Sequence, residues 1–196
     1  MKKSKVITIV IILVVCATLA RLVFFNNSIV GRHYYRGQKL PENYEPKNLE
    51  VLSKRASYLS TYQSLDARFV PAIEKLILDA EKDGMCLTVA GSFRSFNYQR
   101  ELYNQIEDKY KVAVPGESEH QTGLAVDFEG CPMADGKRDD EAERLELRKD
   151  FVELPEYQWL KEHAVNYGLE ESYRVDNEEK TGYPPEPWHW KFVKKK

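Results

Sequence analysis

The chain has 196 residues, a length that fits one domain of ordinary size and is short for two. Hydrophobic residues make up 42% of it and aromatic residues 12%, a composition too apolar for a disordered chain. The formal net charge of -2 provides no basic field, so the composition argues against a protein that binds nucleic acid.

The first 25 residues have the pattern of a membrane-targeting segment. Lys2, Lys3 and Lys5 precede an unbroken apolar run at 6–20, and apolar residues resume after Arg21. The segment reaches the roughly 20 residues that a membrane-spanning helix needs. Because the lysines precede the run, they orient the N-terminus to the cytoplasm. We therefore expect residues 1–25 to form a single-pass transmembrane anchor.

Two other fates of this segment remain open. Cleavage after Ala20, with Thr18 three positions before the cut, would release a secreted form. Lipidation at Cys16 is the weakest alternative, because Val15 is bulkier than the residue that usually precedes such a cysteine. In each case residues 26–39 are polar and lack periodicity, which predicts a linker to a folded domain at 40–196.

The two remaining cysteines, Cys86 and Cys131, fall in the predicted extracytoplasmic domain, where a disulfide is chemically permitted. Neither has the spacing of a structural zinc site. The sequence does not decide whether they pair. The simpler expectation is one buried, small apolar side chain and one loop thiol.

The domain is predicted to begin with a helix, a strand and a second helix. The first helix covers 66–84, with Asp66 as its cap and Gly84 as its end. Its apolar face is formed by Val70, Ile73, Ile77 and Ala80. A short apolar strand follows at 85–91. The second helix covers 95–110, where apolar residues recur every four positions: Tyr98, Leu102 and Ile106.

After Pro115 and Gly116, alternation predicts a strand at 124–129, with Asp127 on the face opposite the apolar residues. Residues 135–150 are dense in both charge signs, including an Asp140–Arg144 pair at helical spacing, and predict a solvated insertion or a surface helix rather than a binding patch.

A third helix is predicted at 153–168, with Pro155 in its first turn and Gly168 beyond its end. A final strand is predicted at 187–193. Its alternation places Trp188 and Trp190 in the core, opposite His189.

Two distant segments carry the residues typical of a metal site. His120 and Asp127 are separated by Gly123, which allows the chain to turn between them. Alone, the pair is more often a buried hydrogen bond than a metal site. The C-terminal segment adds His189 and a nearby carboxylate, Glu186. Two imidazoles and one carboxylate leave a position open for water, as in catalytic zinc sites, and a further carboxylate can act as general base.

Four segments between residues 44 and 193 resemble the VanY-like D-alanyl-D-alanine carboxypeptidases, including LdcB-like L,D-carboxypeptidases. These enzymes share the LAS zinc-peptidase fold with lysostaphin and the hedgehog signalling domain. The matching segments are Tyr44, Pro46 and Leu49; 91–99 (S-G-Y-R-S-x-x-x-Q-like); 118–127 (S-x-H-x-x-G-x-A-x-D); and 186–190 (E-x-W-H-W).

The resemblance implies an α+β fold, namely a single LAS-type domain with a central antiparallel sheet flanked by helices. It implies one Zn²⁺ ion with three ligands: His120, Asp127 and His189. Glu186 would be the general base. Arg94 would stabilise either the oxyanion or the C-terminal carboxylate of the substrate, and these two roles remain open.

Ser118 and Gln99 are candidates for hydrogen bonds to the peptide, although a loop cap and a surface helix residue are equally good interpretations. The chain departs from the family pattern in two places: Gly91-Ser92 replaces Ser-Gly, and Phe93 replaces tyrosine. In a straight strand Glu186 and His189 would face opposite sides, so the prolines around them predict a bend.

The resemblance implies an enzyme that hydrolyses the C-terminal D-alanine of peptidoglycan stem peptides on the outer side of a bacterial cell membrane. An L,D-carboxypeptidase acting on tetrapeptide stems ranks second, and an endopeptidase is also open. A non-enzymatic, zinc-bound recognition module is the alternative from another class. Glu186 and Arg94 argue against it, since binding alone requires no positioned base. No oligomeric state is predicted.

Overall fold

The computed structural model describes residues 39–58, 61–108, 110–131 and 148–193. The predicted anchor, nearly all of the predicted linker, and the Asp140–Arg144 pair with most of the charged insertion lie outside these ranges. Within them, none of the helices combines the length and the apolar character that crossing a bilayer would require.

The described domain begins with a small antiparallel sheet and a long helix. Strand β1 (Leu49–Val51) pairs with β2 (Ser64–Asp66), and helix α1 follows at Val70–Lys82. The predicted start of this helix at Asp66 is wrong, because Asp66 ends β2 and its carboxylate accepts hydrogen bonds from Arg68. The predicted apolar face of α1 is buried.

In the part of the chain that the structure describes, four strands form the central sheet, which is antiparallel throughout: β3 (Leu87–Gly91), β4 (Ala125–Gly130), β5 (Leu169–Glu171) and β6 (His189–Phe192). Their order is β3-β4-β6-β5. The predicted α+β class and antiparallel sheet are therefore confirmed. The two strands predicted to carry site residues, β4 and β6, are the central pair.

Helix α2 (Phe96–Gln105) is shorter than predicted. The Ser95 hydroxyl caps its first turn, but the chain turns extended at Ile106. The predicted apolar repeat does not face the core, since Tyr98 is 47% exposed, whereas the polar Gln99 is fully buried. A polar residue therefore anchors this helix to the domain.

Helix α3 (Pro155–His163) lies between two short 3₁₀ helices, Arg148–Glu153 and Ala164–Tyr167. Pro155 occupies its first turn and Gly168 ends the segment with a left-handed backbone, as predicted. After β5, a 3₁₀ turn (Val175–Asn177) and helix α4 (Glu178–Thr181) lead to the proline-rich segment before β6.

The hydrophobic core lies on one face of the central sheet. Apolar side chains from β3, β4 and β6 pack there with those of α1 and α3, including Val126, Phe128, Trp190 and Phe192. Because side chains alternate along a strand, Asp127 and His189 point to the other face. Trp190 is buried in this core and Trp188 packs against it, which confirms the prediction for both tryptophans.

A disulfide joins Cys86 and Cys131, so the expectation of two separate thiols is wrong. The two residues flank the ends of β3 and β4, where Leu87 pairs with Gly130 and the amide of Cys131 donates to the carbonyl of Cys86. The sequence separation of 45 concealed this proximity, since only the pairing of β3 with β4 creates it.

Candidate metal site

Three residues on three neighbouring strands are cross-strand neighbours at the centre of the site. Asp127 of β4 is the register partner of His189 of β6 on one side and of Gly91 of β3 on the other. Register partners share a face of the sheet. Asp127 and His189, two potential ligands, are therefore direct neighbours, and Gly91 leaves space beside the Asp127 carboxylate.

The third potential ligand, His120, lies on a 3₁₀ turn (Glu119–Thr122) that leads into β4. The turn ends at Gly123, whose φ of +71° belongs to the left-handed region that favours glycine. A Cβ atom on Gly123 would lie 3.1 Å from Pro46 Cγ and 3.2 Å from Leu49 Cδ2. Pro46 and Leu49, which belong to the first of the four segments that resemble the family, thus pack on the turn that positions His120.

The ligand atoms of His120, Asp127 and His189 lie within 4.8 Å of one another. Oδ1 of Asp127 is 3.1 Å from Nε2 of His120 and 2.9 Å from Nδ1 of His189. All three residues are buried, at 1%, 4% and 2% exposure respectively. The structure therefore brings together the three residues proposed as ligands.

The outer nitrogen of each imidazole is already engaged. Nδ1 of His120 lies 2.8 Å from the backbone oxygen of Ser92, and Nε2 of His189 lies 3.0 Å from Oε2 of Glu119. Protons on these outer nitrogens leave the lone pairs of the inner nitrogens facing Asp127. Two neutral imidazoles and one carboxylate oxygen form a donor set that suits Zn²⁺.

Electrostatics within the cluster differ between the two histidines. Burial and the nearby positive charge of Arg94 lower the pKa of His120 to about 4, against the opposing effect of Asp127. Burial also disfavours a charged His189, but hydrogen bonds to Asp127 and Glu119 outweigh it and raise its pKa to about 9. Without a metal, the protonated, cationic form of His189 is therefore favoured between the carboxylates of Asp127 and Glu119.

Glu119 is a site residue that the sequence analysis missed. It is 4% exposed, and Nζ of Lys191 lies 2.9 Å from its Oε1, while the hydroxyl of Ser172 donates to its Oε2. Burial raises the pKa of Glu119, but the contacts with His189, Lys191 and Ser172 lower it to about 2. The sequence offered one hint of such an acidic partner: alternation in the predicted strand places Lys191 on the same face as His189.

Glu186 lies at the edge of the ligand cluster. Its Oε2 is 3.8 Å from Nδ1 of His189, and its side chain is 20% exposed. The backbone amide of His189 donates to the carbonyl of Glu186, which closes a tight turn before β6. The bend predicted from the prolines is confirmed, and it brings Glu186 and His189 to the same side.

Arg94 follows β3 and lies beside the ligands, with its Nη2 3.7 Å from Oδ2 of Asp127 and its side chain 24% exposed. Gln99 links Arg94 to the backbone: its Oε1 accepts from Nη1 of Arg94 at 3.2 Å, and its Nε2 donates to the carbonyl of Ala113 at 2.8 Å. Because Gln99 has no exposed surface, its contact with a peptide can only be indirect, through Arg94.

Two hydroxyl groups complete the surroundings. Ser118 is 3% exposed, and its side chain makes no capping hydrogen bond at the 3₁₀ turn, so the loop-cap interpretation is not supported. Tyr173, which no local pattern singled out, packs its ring against that of His189 at a centroid distance of 4.9 Å. Burial and the negative charges of Glu119 and Glu186 raise its pKa well above the usual value.

An α+β domain with a two-histidine, one-carboxylate cluster beside a carboxylate and an arginine has the arrangement of a metallopeptidase. A sequence model of the VanY family, described as D-alanyl-D-alanine carboxypeptidase, matches residues 62–195. The chain belongs to this family.

Curated relatives resemble most of the chain. YodJ of Bacillus subtilis is 31% identical over 178 residues, which is 86% of this chain and 60% of YodJ. A D-alanyl-D-alanine carboxypeptidase of Enterococcus faecalis is 32% identical over 69% of this chain and 50% of its own length. The chain thus spans half to three-fifths of the length of these two relatives.

Solved structures share the fold. The LdcB LD-carboxypeptidase has a TM-score of 0.66 at 29% identity, covering 81% of this chain and 73% of that one. VanYB in complex with D-alanine-D-alanine has a TM-score of 0.60 at 30% identity, with coverages of 82% and 84%. A mutant of the D,D-pentapeptidase VanY in complex with Zn(II) has a TM-score of 0.57 at 29% identity, with coverages of 84% and 86%.

Proposed function

We propose that this protein is a zinc-dependent D-alanyl-D-alanine carboxypeptidase that removes the C-terminal D-alanine of peptidoglycan stem peptides during cell-wall remodelling. The observation that carries the proposal is the position of Glu186, whose carboxylate lies 3.8 Å from the inner nitrogen of His189. A pure binding site has no use for a partly exposed carboxylate at that position. Family membership and the Zn(II) complex of a VanY relative support the same conclusion.

His120, Asp127 and His189 would hold the zinc ion through Nε2, Oδ1 and Nδ1 respectively. When bound there, zinc supplies a Lewis acid that lowers the pKa of its water and polarises the scissile carbonyl. Glu186 accepts the proton of the attacking water and delivers it to the leaving amine. Its exposure, larger than that of the ligands, gives water access to this carboxylate.

Arg94 stabilises negative charge on the substrate through its fork of N–H donors. Its guanidinium lies 3.7 Å from the ligand Asp127 and therefore beside the metal site, which favours the oxyanion role over the terminal carboxylate. Gln99 positions Arg94, and Ser118 offers its hydroxyl to the peptide. If Arg94 serves the oxyanion, Arg94→Lys lowers kcat with little change in KM; a rise in KM alone would assign it to the terminal carboxylate.

The direct test of the proposal is Glu186→Gln, which keeps the size of the side chain and removes its basicity. We expect the variant to bind zinc stoichiometrically and to lose peptidase activity by about two to four orders of magnitude. Glu179→Gln changes an exposed carboxylate of α4 and is the matched control. Unchanged hydrolysis in zinc-loaded Glu186→Gln would remove Glu186 from the role of base.

An L,D-carboxypeptidase is the second candidate, because the LdcB LD-carboxypeptidase gives a higher TM-score than VanYB. Pentapeptide and tetrapeptide stems, incubated separately with the protein and followed by mass spectrometry, separate the two. Loss of one alanine from the pentapeptide alone supports the D,D activity, and loss from the tetrapeptide alone supports the L,D activity. A zinc-loaded protein that cleaves neither would be an endopeptidase or a recognition module.

The site of action is proposed to be the outer side of a bacterial cell membrane, with residues 1–25 as the anchor. The Cys86–Cys131 disulfide supports an oxidising compartment. Without protease, the full-length protein should be recovered in the membrane fraction, and protease added to intact spheroplasts should digest its domain. Recovery from the medium with a new N-terminus after Ala20 would instead establish the secreted form.

A further inference from the structure

The contacts of Glu119 concern the choice of nitrogen with which His189 faces the metal. A neutral imidazole carries one proton, on either Nδ1 or Nε2. A metal binds only this neutral form; Nδ1 of His189 lies 2.9 Å from Asp127 and Nε2 lies 3.0 Å from Glu119, so both carboxylates compete for its one proton. With the proton on Nδ1, His189 has no lone pair directed at the ligand cluster.

We propose that Glu119 is a positioning residue that keeps the proton of His189 on Nε2 and thereby makes Nδ1 the metal ligand. This inference rests on the zinc site of the proposed function, and on neither its substrate nor its reaction. Glu119 accepts from Nε2 while being almost completely buried, where an ionised acceptor interacts strongly.

Lys191 and Ser172 keep Glu119 in place for this task. Lys191 is 8% exposed and its ammonium group lies 2.9 Å from the second carboxylate oxygen, so the buried negative charge has a buried counter-charge. The hydroxyl of Ser172 donates to the same oxygen that accepts from His189. Three side chains, His189 and Lys191 of β6 and Ser172 just after β5, therefore fix the orientation of one carboxylate.

The two histidines receive different outer partners. Nδ1 of His120 faces a neutral acceptor, the backbone oxygen of Ser92, whereas Nε2 of His189 faces an anion. An anionic acceptor makes the imidazole a stronger electron donor and fixes its tautomer more firmly. Glu119 should therefore contribute to zinc affinity through His189 without touching the metal.

The test is Glu119→Gln in the full-length, detergent-solubilised protein, with zinc affinity measured by competition with a chromophoric chelator. Loss of such a partner typically lowers metal affinity by about 10–100-fold, and we expect a decrease in this range. Glu129→Gln is the matched control, because Glu129 is equally buried on β4 and its Oε1 accepts from the amide of Gly130 rather than from His189. Equal losses in both variants would overturn the proposal.

The tautomer itself can be observed by ¹⁵N NMR of the histidine side chains, of which the chain has four. In the zinc-loaded protein we expect an Nε2–H signal for His189 that shifts or exchanges faster in Glu119→Gln. A folded variant with unchanged zinc affinity and an unchanged signal overturns the proposal. If Glu119→Gln does not fold, Ser172→Ala decides: a several-fold weaker zinc affinity supports the inference and an unchanged affinity refutes it.

These measurements separate this inference from the proposed function. If the protein binds zinc, if Glu119→Gln lowers its zinc affinity and if it cleaves no stem peptide, the proposed activity is refuted and the role of Glu119 is retained. Conversely, a carboxypeptidase whose zinc affinity is indifferent to Glu119 would refute only the positioning role.

Discussion

A Cβ atom added to Gly91 would lie 2.5 Å from Oδ2 of Asp127, its neighbour across the β3–β4 ladder. The backbone of Gly91 is not in the left-handed region, so its requirement for glycine is one of space. The register of the ladder shifts between Val89 and Gly91, immediately before this contact. The unusual order Gly91-Ser92 thus suits this site.

Gly91→Ala should displace the Asp127 carboxylate and weaken zinc binding by about 10–100-fold or more, since ligands tolerate displacements of only about 0.5 Å. Chelator competition measures the effect. Gly84→Ala is the control, because Gly84 has a φ of +81° and open space around it. That variant should lose stability through backbone strain and keep its zinc affinity. Normal zinc affinity in Gly91→Ala would show that β3 can yield to the extra methyl group.

Gln99→Met should impair catalysis through Arg94 while leaving zinc binding intact. Methionine matches the length of glutamine but cannot accept from the guanidinium of Arg94 or donate to the carbonyl of Ala113. We expect kcat to fall about tenfold, because a charged group loses one hydrogen bond that orients it. Gln105→Met, at the exposed end of α2, is the control. A decrease in zinc affinity as large as the decrease in kcat would instead indicate that Gln99→Met disrupts the whole site.

Patterns within one segment predicted much of the fold. Alternation placed Asp127 and His189 opposite the apolar faces of β4 and β6, and the terminal glycine and first-turn proline of α3 were both recognised. Asp66 was misassigned because an acidic residue before an apolar repeat is also found at the end of a strand. The four-residue apolar repeat that begins at Tyr98 predicted a buried face on α2, but Gln99 is the residue of this helix that packs in the interior.

The residues that the sequence could not reveal act across long separations. Glu119 contacts His189, Lys191 and Ser172 only after the turn before β4 folds onto β5 and β6. Tyr173, two residues beyond the end of β5, reaches His189 from a position that no motif marks. Motifs identify residues that bind the metal directly, whereas the groups that orient them depend on the register of the sheet.

Glu171 should make the protein less stable as the pH rises. Burial raises the pKa of this carboxyl above its usual value, against the hydrogen bond from Tyr157 and the charge of Arg174. The unfolded chain then loses the proton first, so the folded state binds more protons between the two pKa values and the free energy of unfolding falls with pH.

Glu171→Gln removes this titration. In chelator-treated protein the variant and the wild type should melt together below about pH 4, where both side chains are neutral. At pH 7 the variant should melt higher by a few degrees, on the order of 1–3 °C. The exposed Glu179→Gln serves as the control in the same thermal scans. A variant that melts lower at pH 7 would mean that the charged carboxylate is stabilised by its neighbours.

The Cys86–Cys131 disulfide should stabilise the domain without shaping the metal site. It closes a loop with a sequence separation of 45, for which chain entropy gives roughly 4 kcal/mol of stabilisation. The adjacent Leu87–Gly130 pairing holds β3 and β4 together independently. The double variant Cys86→Ala, Cys131→Ala should therefore melt about 5–15 °C lower, yet bind zinc with unchanged affinity.

A reducing agent should lower the melting temperature of the wild type to that of the double variant and leave the variant unaffected. This comparison isolates the disulfide from any packing lost on substitution, because the reduced wild type keeps both sulfur atoms. An equal melting temperature for oxidised and reduced wild type would contradict the prediction. Weakened zinc binding in the reduced protein would instead show that the disulfide, rather than the ladder alone, holds β4 in register with Gly91.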